Sequence, residues 1–341
     1  MIYRSKAPLR IGLAGGGTDV SPYSDEFGGA ILNATISLNA YASIELTSEN
    51  GIVLEALDRN EKQQFNFQKQ LPLDGTLDLL KGVYNRIQKD YEIKNQNFKL
   101  STFVEAPAGS GLGTSSTLVV AILGAFVEML KLPLGDYDIA HYAYDIERND
   151  LQLAGGKQDQ YAATFGGVNF MEFYSNDKVI VNPLRIKQEY LNELENNLVL
   201  YFTSTSRESA TIIKEQQKNV ANHNEKSIEA MHQLKEQAKM MKEVLLKGEL
   251  HKIGEILDFG FEQKRQMANN ISNTFIEEIY ESAKKSGSTG GKISGAGGGG
   301  FMIFYCPRNT RYNVIKSLSN FGGMTRSYQF VKHGLTTWTS I

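Results

Sequence analysis

A two-domain protein of mixed α and β structure is the fold that this sequence of 341 residues predicts. Three observations carry the expectation. The chain is longer than one ordinary core and suits about two domains of typical size. Its composition, 41% hydrophobic and 22% charged, is that of a globular protein. Its 32 glycines are clustered, and the clusters punctuate segments with strand-like and helix-like patterns.

The elements follow in order. Residues 9–14, Leu-Arg-Ile-Gly-Leu-Ala, read as a strand that runs into Gly15-Gly16-Gly17. β-Branched and aromatic residues with partial alternation make 30–47 one long strand or two. A strand at 98–105 leads into the glycine-rich segment 106–116. The nearly all-apolar stretch 118–130 predicts a buried helix, and a second helix spans roughly 136–149, before a turn at Gly155-Gly156. From about residue 206 the texture changes. Ile228, Met231, Leu234, Ala238, Met241 and Leu245 recur at three- and four-residue steps, so 225–247 is an amphipathic helix ending near Gly248. Another helix covers about 274–285, with Asn273 as N-cap and Gly287 beyond its end. The run 295–300, five glycines and Ala296, then precedes a strand at 301–305. The boundary falls near 180–200, which divides the chain into units of 1–190 and 191–341.

Lys and Arg total 36 against 38 Asp and Glu, a net charge of −2 that offers nothing to a polyanion such as DNA. No run of about 18 apolar residues is present, so no membrane span is expected. The first eight residues lack the apolar stretch of a secretion signal. Cys306 is the single cysteine, which excludes an internal disulfide and fits a reducing compartment. The five histidines are scattered, without zinc-ligand spacing. The expectation is a cytoplasmic enzyme.

The segment Pro107-Ala108-Gly109-Ser110-Gly111-Leu112-Gly113-Thr114-Ser115-Ser116 has the most legible chemistry. A strand, a turn without bulky side chains, and hydroxyl residues opening an apolar helix make a phosphate-binding design. The first N–H groups of a helix have no internal partners and lie at the positive end of its dipole. Hydroxyls at 114–116 can bind a phosphate oxygen or Mg2+. A side chain at Gly111 is expected to occupy the phosphate's space and leave the fold intact. The plainer alternative, a tight loop with Thr114 or Ser115 as N-cap, needs one hydroxyl and does not call for the small residues before it. No Lys precedes the hydroxyls, so this is not a P-loop. Residues 295–300 match Gly-x-Gly-x-x-Gly, yet a helix before and a strand after reverse the context that a dinucleotide site needs, which argues against a NAD-dependent oxidoreductase. Asp19, just past Gly15-Gly16-Gly17, can fix a sugar diol through two hydrogen bonds or can cap a turn.

Together these segments resemble the GHMP kinase superfamily of galactokinase, homoserine kinase, mevalonate kinase and phosphomevalonate kinase. Its three motifs look like 6–13 (Lys-Ala-Pro-Leu-Arg-Ile-Gly-Leu), 107–116, and 292–299 (Lys-Ile-Ser-Gly-Ala-Gly-Gly-Gly). Within the superfamily the sequence resembles above all the D-glycero-D-manno-heptose 7-phosphate kinases. The stretches that carry this are 7–19, 28–36, 146–167 and 200–212, and Gly155-Gly156-Lys157-Gln158-Asp159-Gln160-Tyr161 is the most distinctive.

The resemblance implies an α+β fold of the GHMP kinase type. Its N-terminal domain is like the second domain of ribosomal protein S5, its C-terminal domain is ferredoxin-like, and the site lies between them. It implies transfer of the γ-phosphate of ATP to the anomeric hydroxyl of a heptose 7-phosphate, giving the 1,7-bisphosphate. Asp159 matches the catalytic aspartate, Arg10 the cation near the transferred phosphoryl group, and Glu147 and Ser115 the Mg2+ ligands. Pro107 and residues 109–116 match the ATP loop. Asp19, with Gly17 and Thr18 beside it, falls where sugar is bound, and Gly156, Lys157 and Gly297 are carried as further substrate-binding positions. The first motif departs from the family by having Gly15-Gly16-Gly17 for the common Gly-Glu-His. Two roles fit Asp159: accepting the hydroxyl proton, or orienting the nucleophile. Arg207, in a hydroxyl-rich stretch, is either a bidentate phosphate ligand or a surface partner of Glu208. Lys6 and Lys157 are the other candidates for the sugar phosphate. Two rival readings remain: a galactokinase- or fucokinase-like enzyme acting on an unphosphorylated sugar, and a non-catalytic sugar- or nucleotide-binding regulator.

Overall fold

A computed structural model describes residues 1–48, 50–93, 96–205 and 209–341. The strands in chain order are β1 (Ile2–Ala14), β2 (Gly29–Leu46), β3 (Ile52–Ala56), β4 (Glu61–Phe65), β5 (Phe98–Val104), β6 (Val168–Phe173), β7 (Val179–Pro183), β8 (Leu198–Phe202), β9 (Gly290–Ile293), β10 (Phe301–Tyr305), β11 (Met324–Arg326) and β12 (Thr336–Ser340).

Eight strands form the first sheet, in the order β12-β1-β2-β5-β3-β4, with β6 also on β2 and β7 on β6. The stretch expected as one strand or two is the single strand β2. It pairs with β6 through Gly29–Ala34 and with β5 through Ala40–Leu46, both antiparallel. The odd positions of β1, Ala7, Leu9, Ile11 and Leu13, are fully buried in the main core with Val119, Ala121, Ile122 and Phe126 of the helix Thr114–Leu130. Because side chains alternate along a strand, Arg10 and Gly12 project from the opposite face.

The second sheet has the order β11-β8-β10-β9, all antiparallel. Helices lie in sequence between β8 and β9 and between β10 and β11, which is the ferredoxin-like arrangement. The amphipathic helix is Glu225–Lys247. The Asn224 side chain accepts from the Ser227 N–H at one end, and Gly248 closes the other at φ 73°. Its stripe from Met231 to Leu245 is buried, Ile228 partly so, and it packs on β1, β2 and the helix Ile253–Lys264. The helix Thr274–Lys285 is capped by Asn273 as expected.

Three features differ from the sequence reading. The helix expected over 136–149 is α-helical only through Asp136–Asp145 and continues as a π-helical turn, Ile146–Asp150. The glycine run 295–300 follows a strand, β9, and not a helix directly, so it is the loop of a β9–β10 hairpin. Gly-Gly-Lys-Ile has too little strand pattern to be read, and its pairing with β10 holds it. The chain's last strand, β12, lies in the first sheet, antiparallel to β1. No helix among the described residues is long and apolar enough to cross a membrane.

Candidate active site

A cavity of about 280 Å³ opens between the two sheets' units, lined by Arg10, Gly16, Gly17 and Asp19, by the 109–116 loop, by Glu147 and 153–159, and from the other side by Gln216, Lys264, Lys292, Gly295 and Ala296.

The first wall is the end of β1. Arg10 is buried, and its Nε donates to Asp159 Oδ1 at 2.7 Å while Nη1 donates to the Gly111 carbonyl at 2.5 Å. The chain then turns at Gly15-Gly16-Gly17. The Thr18 hydroxyl accepts from the Ala30 N–H at 3.1 Å and lies within 3.0 Å of the Gly15 and Ala30 carbonyls, so it closes the turn and does not face the cavity. Asp19 is buried and accepts from the Gln158 N–H at 3.0 Å. Burial pushes its carboxyl above the usual aspartate range; the Gln158 N–H opposes this and the Asp159 charge adds to it. Gly156 packs so closely on Asp19 that a Cβ would collide with the carboxylate.

The second wall is the loop after β5. The helix Thr114–Leu130 starts at Gly113, whose φ is 77°, and no side chain caps it. Neither Thr114 nor Ser115 serves as N-cap, and Ser115 stands exposed in the first turn. Gly109, Gly111, Gly113 and Thr114 through Ser116 line the cavity. Pro107, Ser110 and Leu112 do not: Pro107 is exposed and its carbonyl accepts the Ser110 N–H, while the Leu112 carbonyl accepts the Arg10 N–H. The third motif packs against this loop. Ser294 Oγ donates to the Gly111 carbonyl at 2.8 Å, the Phe301 N–H donates to the Ser110 carbonyl at 2.8 Å, and a Cβ on Gly295 would lie 2.7 Å from Gly111 Cα. Only glycine permits two backbones to meet this closely.

The third wall comes from the π-helical turn and the helix Gln158–Phe165. Glu147 is buried in the turn, a kind of irregularity often found at functional sites. It accepts from Gln160 Nε2, which also donates to Ser116 Oγ at 3.1 Å. Burial raises its carboxyl above the usual range; the Arg148 charge and the Ser116 and Gln160 hydrogen bonds oppose this. Asp159 is in the first turn of the following helix and faces Arg10.

Besides Thr18, Pro107, Ser110 and Leu112, three more predicted positions stay outside the cavity. The Lys157 ammonium is buried against Asp177 at 2.9 Å and Asp25 at 3.4 Å, so its charge is already answered. Gly297 packs on Ile271. Lys6 is exposed on β1, opposite Thr336 of β12. Arg207 lies outside the described residues.

Two lysines enter instead. Lys264, last residue of the helix Ile253–Lys264, donates to the Gly295 carbonyl at 2.6 Å, and Lys292 of β9 donates to the Gly12 carbonyl at 3.0 Å. Burial holds Lys264 down to a pKa of about 8, with the Arg10 charge adding to the effect. Lys292 lies well below the usual lysine range, from burial first and then from the Lys264 and Arg10 charges. Lysine in the last turn of a helix ordinarily faces solvent, so sequence alone did not single out Lys264. Lys292 stood inside the third motif, but with no role attached.

This chain is similar to known proteins across its length. The GHMP kinases N terminal domain family matches residues 78–167 and the GHMP kinases C terminal family residues 240–323. A D-glycero-alpha-D-manno-heptose 7-phosphate kinase of Campylobacter jejuni is 47% identical over 335 residues, 98% of both chains. The chain belongs to the GHMP kinases. A crystal structure described as a D-glycero-D-manno-heptose 1-phosphate kinase from Bacteriodes thetaiotaomicron superposes with a TM-score of 0.84 at 46% identity, covering 99% of each chain. A bifunctional fucokinase/GDP-fucose pyrophosphorylase of Arabidopsis thaliana is 26% identical over 87% of this chain, which spans 29% of that protein. This GHMP kinase thus has its family's fold, with its three glycine-rich motifs drawn into one cavity.

Proposed function

We propose that this GHMP kinase transfers the γ-phosphoryl group of ATP to the anomeric hydroxyl of D-glycero-D-manno-heptose 7-phosphate, giving the 1,7-bisphosphate. The observation that carries the reading is the Arg10–Asp159 pair set between the uncapped helix start at 114–116 and the buried Asp19. The relatives' names support a heptose phosphate as acceptor, since the chain is 46–47% identical to two proteins named as heptose phosphate kinases.

Phosphoryl transfer needs positioning and charge neutralisation more than covalent help. The free N–H groups of the helix start receive the nucleotide phosphates. Asp159 orients the anomeric hydroxyl and accepts its proton as the oxygen forms its bond to phosphorus; the bond from phosphorus to the bridging oxygen breaks, and ADP leaves. Arg10 supplies positive charge beside the same oxygen atoms. Asp19 and its neighbours fix the sugar hydroxyls.

A Mg2+ ion fits the residues present. Glu147 is a buried carboxylate facing the cavity beside the hydroxyls of the helix start, and Mg2+ is usually held by one or two carboxylates together with phosphate oxygens and water. Among the described residues no group of three or more His, Cys, Asp or Glu side chains could hold a metal ion by itself. Glu147 and Ser115 would hold it. When bound, the ion would neutralise phosphate charge.

The relatives' names differ in placing the sugar's first phosphate at carbon 7 or carbon 1. A 1-phosphate has no free anomeric hydroxyl, so the two readings give different new bonds. ADP release measured across heptose 7-phosphate, heptose 1-phosphate, mannose, fucose and galactose, with NMR of the product, tests the proposal. A higher kcat/KM with free fucose or galactose, or phosphorylation away from carbon 1, overturns it.

A further inference from the structure

Three kinds of group attract attention outside the roles already given: Lys157 with its two acids, the buried Cys306, and the lysines over Gly16. The first is a closed ion pair. The second is a lone buried thiol pushed up to a pKa of about 12 by burial, with nothing around it to act on. The third is different.

We propose that Lys264 and Lys292, facing each other over Gly16, form the subsite for the phosphate monoester that the acceptor sugar already carries. The inference rests on the reading of this chain as a sugar phosphate kinase and names the group that makes the distinction. A Cβ at Gly16 would lie 3.8 Å from Lys264 Nζ and 3.9 Å from Lys292 Nζ, and no other described residue beyond its two chain neighbours comes within 4 Å of it. The two ammonium groups therefore converge on the same open space. Both side chains are about 4% exposed. Among the described residues each ammonium has one hydrogen bond, to a backbone carbonyl, which leaves two N–H donors apiece.

Charges buried this deeply are ordinarily paired, because removing an ammonium from water costs several kcal/mol. Among the described residues no carboxylate lies within 4.0 Å of either lysine, whereas Arg10 has Asp159 and Arg148 has Glu147 at 3.8 Å. Lys264 and Lys292 are thus the described cavity cations without an acid of their own. A dianionic phosphate answers both charges at once and takes the free donors.

The location favours the acceptor over the nucleotide. Gly16 lies in the turn that leads from β1 to Asp19, the residue proposed to hold the sugar. A glutamate at position 16 would place its carboxylate among the two ammonium groups, where this chain leaves room for an anion that arrives with the substrate. Gly16 is outside the left-handed region of φ, so a side chain can be built there without backbone strain.

Lys264→Met and Gly16→Glu test the subsite by different means, one removing a cation and the other filling the space with an internal anion. Loss of charged hydrogen bonds of this kind is worth roughly 10- to 100-fold. In both variants kcat/KM for heptose 7-phosphate is expected to fall by about that factor, mainly through KM. The fall is expected to be at least about tenfold larger than with the same heptose lacking the phosphate. Thermal unfolding confirms that each variant folds, and either one suffices. If the wild-type enzyme does not prefer the phosphorylated heptose, the subsite falls together with the substrate reading beneath it. If the preference exists and survives in both folded variants, or turnover falls equally on every acceptor, the subsite alone is overturned and the lysines serve the transferred phosphoryl group.

Discussion

Ser294 reaches across from the second unit and donates to the Gly111 carbonyl at 2.8 Å, the same oxygen that accepts Arg10 Nη1 at 2.5 Å. One carbonyl thus ties the third motif to the 109–116 loop and to Arg10, the cation proposed to stand beside the transferred phosphoryl group. A Cβ on Gly111 would lie 2.5 Å from the Ser294 carbonyl oxygen, and the residue's φ is 83°. Gly111→Val therefore does more than occupy the phosphate's space, as the sequence alone suggested. It also breaks the loop-to-loop contact and strains the backbone, by roughly 1–3 kcal/mol. Loss of ATP affinity together with a lower Tm is expected. Ser294→Ala separates the effects, costing about 1 kcal/mol for the hydrogen bond with a smaller rise in KM for ATP.

Gly156 and Asp19 give a second test. The Gly156 backbone presses on the Asp19 carboxylate, and the neighbouring Gln158 N–H holds it. Gly156→Ala pushes Asp19 aside, and misplacement on the ångström scale can cost up to about 100-fold. The loss is expected mainly in sugar KM, measured by steady-state kinetics. Asp19→Asn should act on the same parameter, since its proposed contacts are to sugar hydroxyls that do not react.

Lys264 makes stability depend on pH in a defined direction. Its folded pKa of about 8 lies below the ordinary lysine value of 10.5, so between these values the unfolded chain binds the extra proton. Stability then rises as pH climbs from about 8 to 10.5 and is lost as pH falls through 8. Lys264→Met should remove that rise, seen as a flatter curve of urea unfolding midpoint against pH. A bound phosphate monoester should restore the proton, so sugar phosphate binding near pH 9 is expected to take up protons, measurable by calorimetry in two buffers.

Much of the cavity was legible in the sequence because its residues sit in short motifs with a chemical logic. Asp19 follows a triple glycine after a strand, and residues 109–116 open an apolar helix. Arg10, Glu147 and Asp159 were reached through resemblance, not spacing. What stayed hidden depends on distant partners. β9 exists because β10 pairs with it, and β12 returns to β1 over the whole length of the chain. Lys157 sits between two site residues in sequence, yet Asp25 and Asp177 turn its charge elsewhere. Lys264 looks like any solvated lysine at a helix end until the fold buries it beside Gly295.

Asp159 is the centre of the proposed chemistry, because the rest of the cavity would serve to bring a hydroxyl and a phosphoryl group to it. Asp159→Asn nearly preserves shape and is a far weaker base. Its Oδ1 can still accept from Arg10 Nε, so Arg10 should remain in place. General-base catalysis typically contributes about 10²–10⁴-fold, so kcat should fall by that factor, and kcat/KM with it. Heptose 7-phosphate binding, measured calorimetrically without turnover, should be largely retained. Near-normal kcat in a folded Asp159→Asn enzyme would contradict the assignment and leave transfer to Arg10, the metal and positioning.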